Sequence, residues 1–143
     1  MQFYFHMKLI IISLLTFLAY VPTNLYKLKV EVIGLRSNKG QVMMALYRDI
    51  DEFPTKKGRY KHLILTPHNH VATGVFDDLQ PGKYAVAVIL DENKSFDMDK
   101  NMFGFPLEQY GFSNNAREKL SAPSFEKASF ELHTDRKIQI KIE

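Results

Sequence analysis

Lys83-Tyr84-Ala85-Val86-Ala87-Val88-Ile89-Leu90 decides the fold. In an extended chain Tyr84, Val86, Val88 and Leu90 point one way, and Ala85, Ala87 and Ile89 the other, because side chains alternate along a strand. This is the strongest strand signal in the chain. Asp77-Asp78-Leu79-Gln80-Pro81-Gly82 precedes it as a turn. Pro81 and Gly82 suit the second and third positions of a type II turn, where Gly takes the positive φ.

The same alternation recurs on both sides of this stretch. Upstream, Leu28, Val30 and Val32 alternate with Lys27, Lys29 and Glu31, and Gln41 to Arg48, likewise apolar on both faces, is expected to be central or covered on two sides. Ser37-Asn38-Lys39-Gly40 between them is turn chemistry, so the two strands are expected to form a hairpin. Lys61 to Thr66 and His70 to Phe76 read as short strands on either side of Pro67, and Asp49 to Tyr60 as a polar loop. Downstream, Ala128 to Leu132 and Lys137 to Ile142 alternate again, the last with lysines on one face, as suits a protected edge strand. About seven short strands separated by turn signals predict an all-β fold, an antiparallel β-sandwich.

The chain has 143 residues, 19 Lys+Arg against 16 Asp+Glu, and neither Cys nor Trp. These numbers exclude a disulfide scaffold, a thiolate zinc site, a thiol nucleophile and a polybasic nucleic-acid binder. Lys8 followed by the mostly apolar run Leu9 to Val21 and then Pro22-Thr23 has the layout of a secretory signal peptide. The run is short for a membrane span, which needs about 20 apolar residues. The expectation is a signal peptide over 1–23, with Ala19 or Thr23 before the cut, and one domain over 24–143. An uncleaved anchor is the alternative. The domain is then periplasmic or extracellular, with no membrane span after signal removal, and it holds together by core burial without disulfides.

Asp91 to Glu126 offers no convincing strand, and connections of that length usually carry function. Its aromatics (Phe96, Phe103, Phe105, Tyr110, Phe112, Phe125) are expected to pack on the sandwich. Asp91, Asn93, Ser95, Asp97 and Asp99 place an oxygen-bearing side chain at every second position. Calcium takes six to eight oxygens, and loops spaced this way wrap around it. Against the EF-hand template, positions 1, 3, 5 and 9 match in type. Position 6, which wants Gly, is Phe96, and position 12, which wants a bidentate Glu, is Met102. Glu92 and Glu108 are further carboxylates available to such a site. The competing reading is a solvated polar turn after a buried strand.

Glu108, Tyr110, Phe112, Ser113, Asn114 and Asn115 mix aromatic platforms with amide and hydroxyl groups. Such a surface can stack on a sugar ring or grip a peptide, so a protein or glycan is the expected partner. The competing reading is a packed loop whose amides satisfy turns. His62, His68, His70 and His133 read as exposed side chains, since Pro67 and Asn69 put a turn where a strand-borne metal pair would need extension. No nucleophile elbow or phosphate-cradling glycine loop is present, and nothing in the sequence identifies a base for Ser113.

Three phrases together resemble a known family: Leu79-Gln80-Pro81-Gly82-Lys83-Tyr84-Ala85-Val86-Ala87-Val88, Asp91-Glu92-Asn93, and Gly104-Phe105-Pro106-Leu107-Glu108-Gln109-Tyr110-Gly111-Phe112-Ser113-Asn114-Asn115. The chain resembles the domain of unknown function 2141, small exported bacterial proteins with no established activity. The resemblance runs from about Leu28 to Ile142. Ser95-Phe96 departs from it, since relatives usually show Asn-Gly there. The resemblance implies a transthyretin-like or prealbumin-like sandwich and hands over no catalytic residue. The functional expectation is an exported, non-catalytic binding or accessory module that uses the 91–115 loop, with calcium as the one candidate cofactor. A small metal-dependent or hydrolytic enzyme of the cell envelope is the alternative.

Overall fold

Alternation in the sequence becomes alternation in burial. In strand β1 (Tyr26–Ile33), Leu28, Val30 and Val32 are fully buried while Lys27 and Lys29 are exposed. The computed structural model describes residues 24–143, so the expected signal peptide lies outside the described residues. Seven more strands follow: β2 (Gln41–Arg48), β3 (Lys61–Leu65), β4 (Val71–Leu79), β5 (Gly82–Asp91), β6 (Tyr110–Phe112), β7 (Phe130–Leu132) and β8 (Arg136–Lys141). A one-turn helix, α1 (Phe125–Ala128), enters β7, with the Ser124 side chain capping its first turn.

Two sheets stack face to face. The smaller has the order β4-β1-β8; the larger has the order β3-β2-β5-β6, with β7 also paired to β5. Leu28, Val30 and Val32 of β1, Phe76 of β4 and Ile140 of β8 meet Val42, Met44 and Leu46 of β2 and Val86, Val88 and Leu90 of β5. Each such side chain contributes about 1.5–3 kcal/mol when fully buried, so this layer supplies the driving force for folding. Among the described residues no helix is long and apolar enough to cross a membrane.

The all-β sandwich expected from the sequence is present, with local differences. β1 and β2 do not form a hairpin: they lie in opposite sheets, and the Ser37–Gly40 turn carries the chain across the core. Gly40, at φ +75°, passes so close to Asp91 that an added Cβ would sit 2.1 Å from its carbonyl oxygen. Nor does Gly82 take a positive φ. The positive φ in this corner belongs to Asp78, and Gly82 already begins β5. The pairing of β1 with β8 is parallel, and β8 forms the edge of its sheet with Lys137 and Lys141 exposed.

The long connection after Asp91 contains a strand that the sequence reading missed, the three-residue β6. β6 and β7 share one edge of β5, with partners at Ala87–Ile89 and Gly82–Tyr84. Gly111 of β6 lies against β8. An added Cβ there would sit 2.9 Å from Ile142 Cγ2 and 3.0 Å from the Lys141 carbonyl oxygen. The main chains of Tyr110 and Glu143 exchange two hydrogen bonds of 3.2 Å, closing the sandwich along this edge.

Candidate functional site

The larger sheet has a second apolar face, turned away from the core. Cross-strand register arranges it in rows. Ile64, Met43, Ile89 and Tyr110 form one row, drawn from β3, β2, β5 and β6 in turn. His62, Ala45, Ala87 and Phe112 form the next. Two methyl groups between larger neighbours leave a trough in the middle of that row, because directly opposed side chains set the local height of a sheet surface.

Aromatic rings close one end of the trough. Phe53 packs edge-on against Tyr47, Phe112 and Phe125, with centroids 5.1, 5.7 and 6.0 Å apart. They cover Ala85 and Ala128 in a small second core. Burial pushes the Tyr47 hydroxyl up to about 12, the nearby Arg59 working against it, so it remains a donor at neutral pH and bonds the Thr55 carbonyl at 3.0 Å. Beyond Pro54 the face is open, and the segment between Phe96 and Pro106 overhangs it. The result is a groove of two lobes, about 490 and 360 Å³, which share Pro54, Ala87, Ile89, Met98 and Lys100. Each lobe falls in the size range of small-molecule sites, roughly 300–1,000 Å³. Phe103 and Phe105 stand at the mouth, 77% and 54% exposed. The expected packing of the loop aromatics thus holds for Tyr110, Phe112 and Phe125 and fails for Phe103, Phe105 and Phe96, the last also exposed.

Lys56, Arg59, Lys100 and Lys119 line the groove against two carboxylates, Asp97 and Glu118. Lys56 pairs with Asp97 at 3.7 Å, and Glu118 with Lys127, which leaves the basic side chains in excess around the opening.

Of the residues singled out as a partner surface, Tyr110 and Phe112 line the groove and the others hold the fold together. Ser113 is fully buried between β6 and β7. Its Oγ accepts the Val86 N–H at 2.8 Å and donates to the Ala128 carbonyl at 2.5 Å, filling the gap in the ladder along β5. Asn114, at φ +59°, donates its amide to the Ser129 carbonyl at 2.7 Å. The Asn115 side-chain oxygen accepts the Lys141 N–H at 2.9 Å. Glu108 is buried at the root of the acidic loop. The groove floor (Met43, Ala45, Ala87, Ile89) was not among the residues chosen from sequence. Its signal was there, in the two apolar faces of β2 and β5.

The acidic loop curls around its first carboxylate. Asp91 is fully buried. Its Oδ1 accepts the Ser95 N–H at 2.9 Å, and its Oδ2 accepts the Phe96 N–H at 3.0 Å and the Gln41 side-chain amide at 2.8 Å. Asn93 donates to Asp99 Oδ2 at 2.5 Å, and Ser95 Oγ donates to the Asp97 carbonyl at 3.2 Å. Ser95 Oγ also lies 3.5 Å from Asp99 Oδ1. Asp97 points outward to Lys56. Phe96, at φ +62°, adopts the left-handed turn for which a glycine was expected.

Glu92 is engaged elsewhere: hydrogen bonds from Arg36 and then Ser37 hold its carboxyl below the ordinary range. Glu108 is driven the other way. Burial raises it, the Asp99 N–H bonded to Oε2 at 3.2 Å opposes this, and the Asp91 and Asp99 carboxylates raise it further. Among the described residues no three Asp, Glu or His side chains are grouped so as to hold a metal ion on their own. His68 pairs with Val71 across a tight turn made by Asn69 and His70, both at positive φ, and His70 Nδ1 lies 2.7 Å from the Leu35 carbonyl oxygen.

A family model described as "Uncharacterized protein conserved in bacteria (DUF2141)" matches residues 30–141. No curated protein and no solved structure matches the chain.

Proposed function

The chain belongs to that family, DUF2141, and from the groove we propose that it is an exported, non-catalytic module that binds a small amphiphile with an apolar body and an anionic end. The observation that carries this reading is the Ala45–Ala87 floor, a concave apolar surface of ligand size on the solvent side of a sheet. Soluble domains rarely leave large contiguous apolar surface uncovered without a use for it. The excess of Lys and Arg around the opening favours an anionic group on the ligand. A glycan fits less well, because the amides that would read its hydroxyls are committed: Asn114 and Asn115 to main chain, Gln109 to Arg36 N–H and the Gly34 carbonyl. Export rests on the apolar run Leu9 to Val21 behind Lys8.

The test is fluorescence titration with 8-anilinonaphthalene-1-sulfonate, an aromatic anion. The protein is expected to bind it saturably with one-to-one stoichiometry. Ala87→Trp, which fills the floor with an indole, is expected to weaken binding at least about tenfold, a loss of about 1.4 kcal/mol. Its unfolding midpoint should stay within a few degrees, since Ala87 is only half-buried at the margin of the second core and an added ring extends into the open groove. Non-saturable binding, or equal affinity in the Ala87→Trp variant, overturns the reading.

A further inference from the structure

We propose that the 91–108 segment is a calcium site, formed by Asp91, Asn93, Ser95, the Asp97 carbonyl and Asp99 and completed by the buried carboxylate of Glu108. It stands independently of what fills the groove. The observation beyond the acidic spacing is Glu108 itself. The residue is 7% exposed, its Oε2 accepts the Asp99 N–H, and its Oε1 is buried with no hydrogen-bond partner in the protein. The carboxylates of Asp91 and Asp99 face it, and the one cation within Coulombic reach among the described groups, the Arg36 guanidinium, is bonded to Glu92. An unpartnered buried carboxylate oxygen among like charges is costly, and a divalent cation bound among these groups offsets that cost.

The loop is shaped for the ion. Asp91 ties the N–H groups of Ser95 and Phe96 to its carboxylate, which bends the chain so that later oxygens return toward the first. The Asp97 carbonyl oxygen and Asp99 Oδ1 lie 3.2 and 3.5 Å from Ser95 Oγ. Asn93 Oδ1 accepts the Ser95 N–H at 3.0 Å, and turning the amide toward the ion gives up this bond and the one to Asp99 for an oxygen ligand, with Asp91 Oδ1 still holding the Ser95 N–H. Phe96 occupies the left-handed position at the bend, and Met102, where a closing glutamate was sought, is 90% exposed. Glu108 takes that closing role from the far end of the loop, just before β6. The set is one of hard oxygens on an irregular loop, which suits the large and flexible coordination sphere of calcium better than the strict octahedron of magnesium.

The test follows thermal unfolding of the purified protein after EDTA treatment, with and without about 5 mM calcium. Extracellular calcium modules have dissociation constants of about 10⁻⁴ to 10⁻³ M. At those values the ion multiplies the folding constant by about 6- to 50-fold, a rise of several degrees in the midpoint. Asp99→Asn is expected to remove the rise, and the same concentration of magnesium to produce a much smaller one. Glu108→Gln separates a ligand from a structural carboxylate. It is expected to raise the calcium-free midpoint, because a buried charge is lost, and to weaken calcium binding at least fivefold by calorimetry. Asp49→Asn, an exposed carboxylate away from the loop, should keep the full response. No shift with calcium in the parent, an equal shift in Asp99→Asn, an equal response to magnesium, or undiminished calcium affinity in Glu108→Gln overturns the proposal.

Discussion

Asp91→Ala is expected to cost about 3–4 kcal/mol of stability in calcium-free buffer, whereas Asp97→Ala, six residues along the same loop, should cost no more than about 0.5 kcal/mol. The contrast follows from what each carboxylate does. Asp91 is fully buried at the end of β5 and accepts three hydrogen bonds, two from main-chain N–H groups of the loop and one from Gln41 on the neighbouring strand. Hydrogen bonds to a charged group are worth about 1.5–3 kcal/mol each. Partial hydration of the released loop amides recovers part of that. Asp97 is paired only with Lys56, and both side chains are more than half exposed, a geometry worth little in water. Urea denaturation of the two variants and the parent measures both. A loss below about 1 kcal/mol for Asp91→Ala would mean that its carboxylate does not organise the loop.

Ser113→Ala should lower stability by about 2–4 kcal/mol while leaving ligand binding intact at temperatures where the variant is folded. The missing hydroxyl strands the Val86 N–H and the Ala128 carbonyl in a buried gap that β6 and β7 leave open along β5. Each orphaned group costs about 1–3 kcal/mol. A nucleophile or ligand-gripping serine would behave oppositely, with a small stability loss and a large functional one. Calorimetric unfolding together with titration of the anilinonaphthalene probe distinguishes the two. Unchanged stability with lost binding would assign Ser113 to the site and not to the frame.

The strands were legible because burial follows period two so closely. Gln41–Arg48 was read with its observed limits, and Lys83–Leu90 extends by one residue at each end. Partnering was less legible. The turn after β1 carries ordinary hairpin residues, yet Gly34 and Gly40 at positive φ redirect the chain to the opposite sheet. Nothing local encodes that choice; it is set by which apolar faces must meet across the core. β6 escaped notice because three residues show too little alternation, and Gly111 obscures what there is. Its place is fixed by close approach to β8, a long-range contact.

The candidate site divides along the same line. The acidic spacing from Asp91 to Asp99 is a one-dimensional pattern and is visible in sequence. That Glu108 returns to those residues, and that Asn114 and Asn115 serve main-chain groups, are consequences of the folded path. The groove floor was visible only as an excess of apolar faces on β2 and β5. Sequence could say that the outer face needed a cover. It could not say that Phe53, Phe112 and Phe125 cover only one end.

The most direct measurement is a two-dimensional ¹⁵N NMR titration of the protein with dodecanoate below its micellar concentration. Saturable shifts should concentrate at Ala45, Ala87, Ile89 and Tyr110, with β1 and β8 of the smaller sheet unmoved. Shifts centred on the smaller sheet, or none that saturate, would contradict the assignment of the outer face of the larger sheet as the binding site.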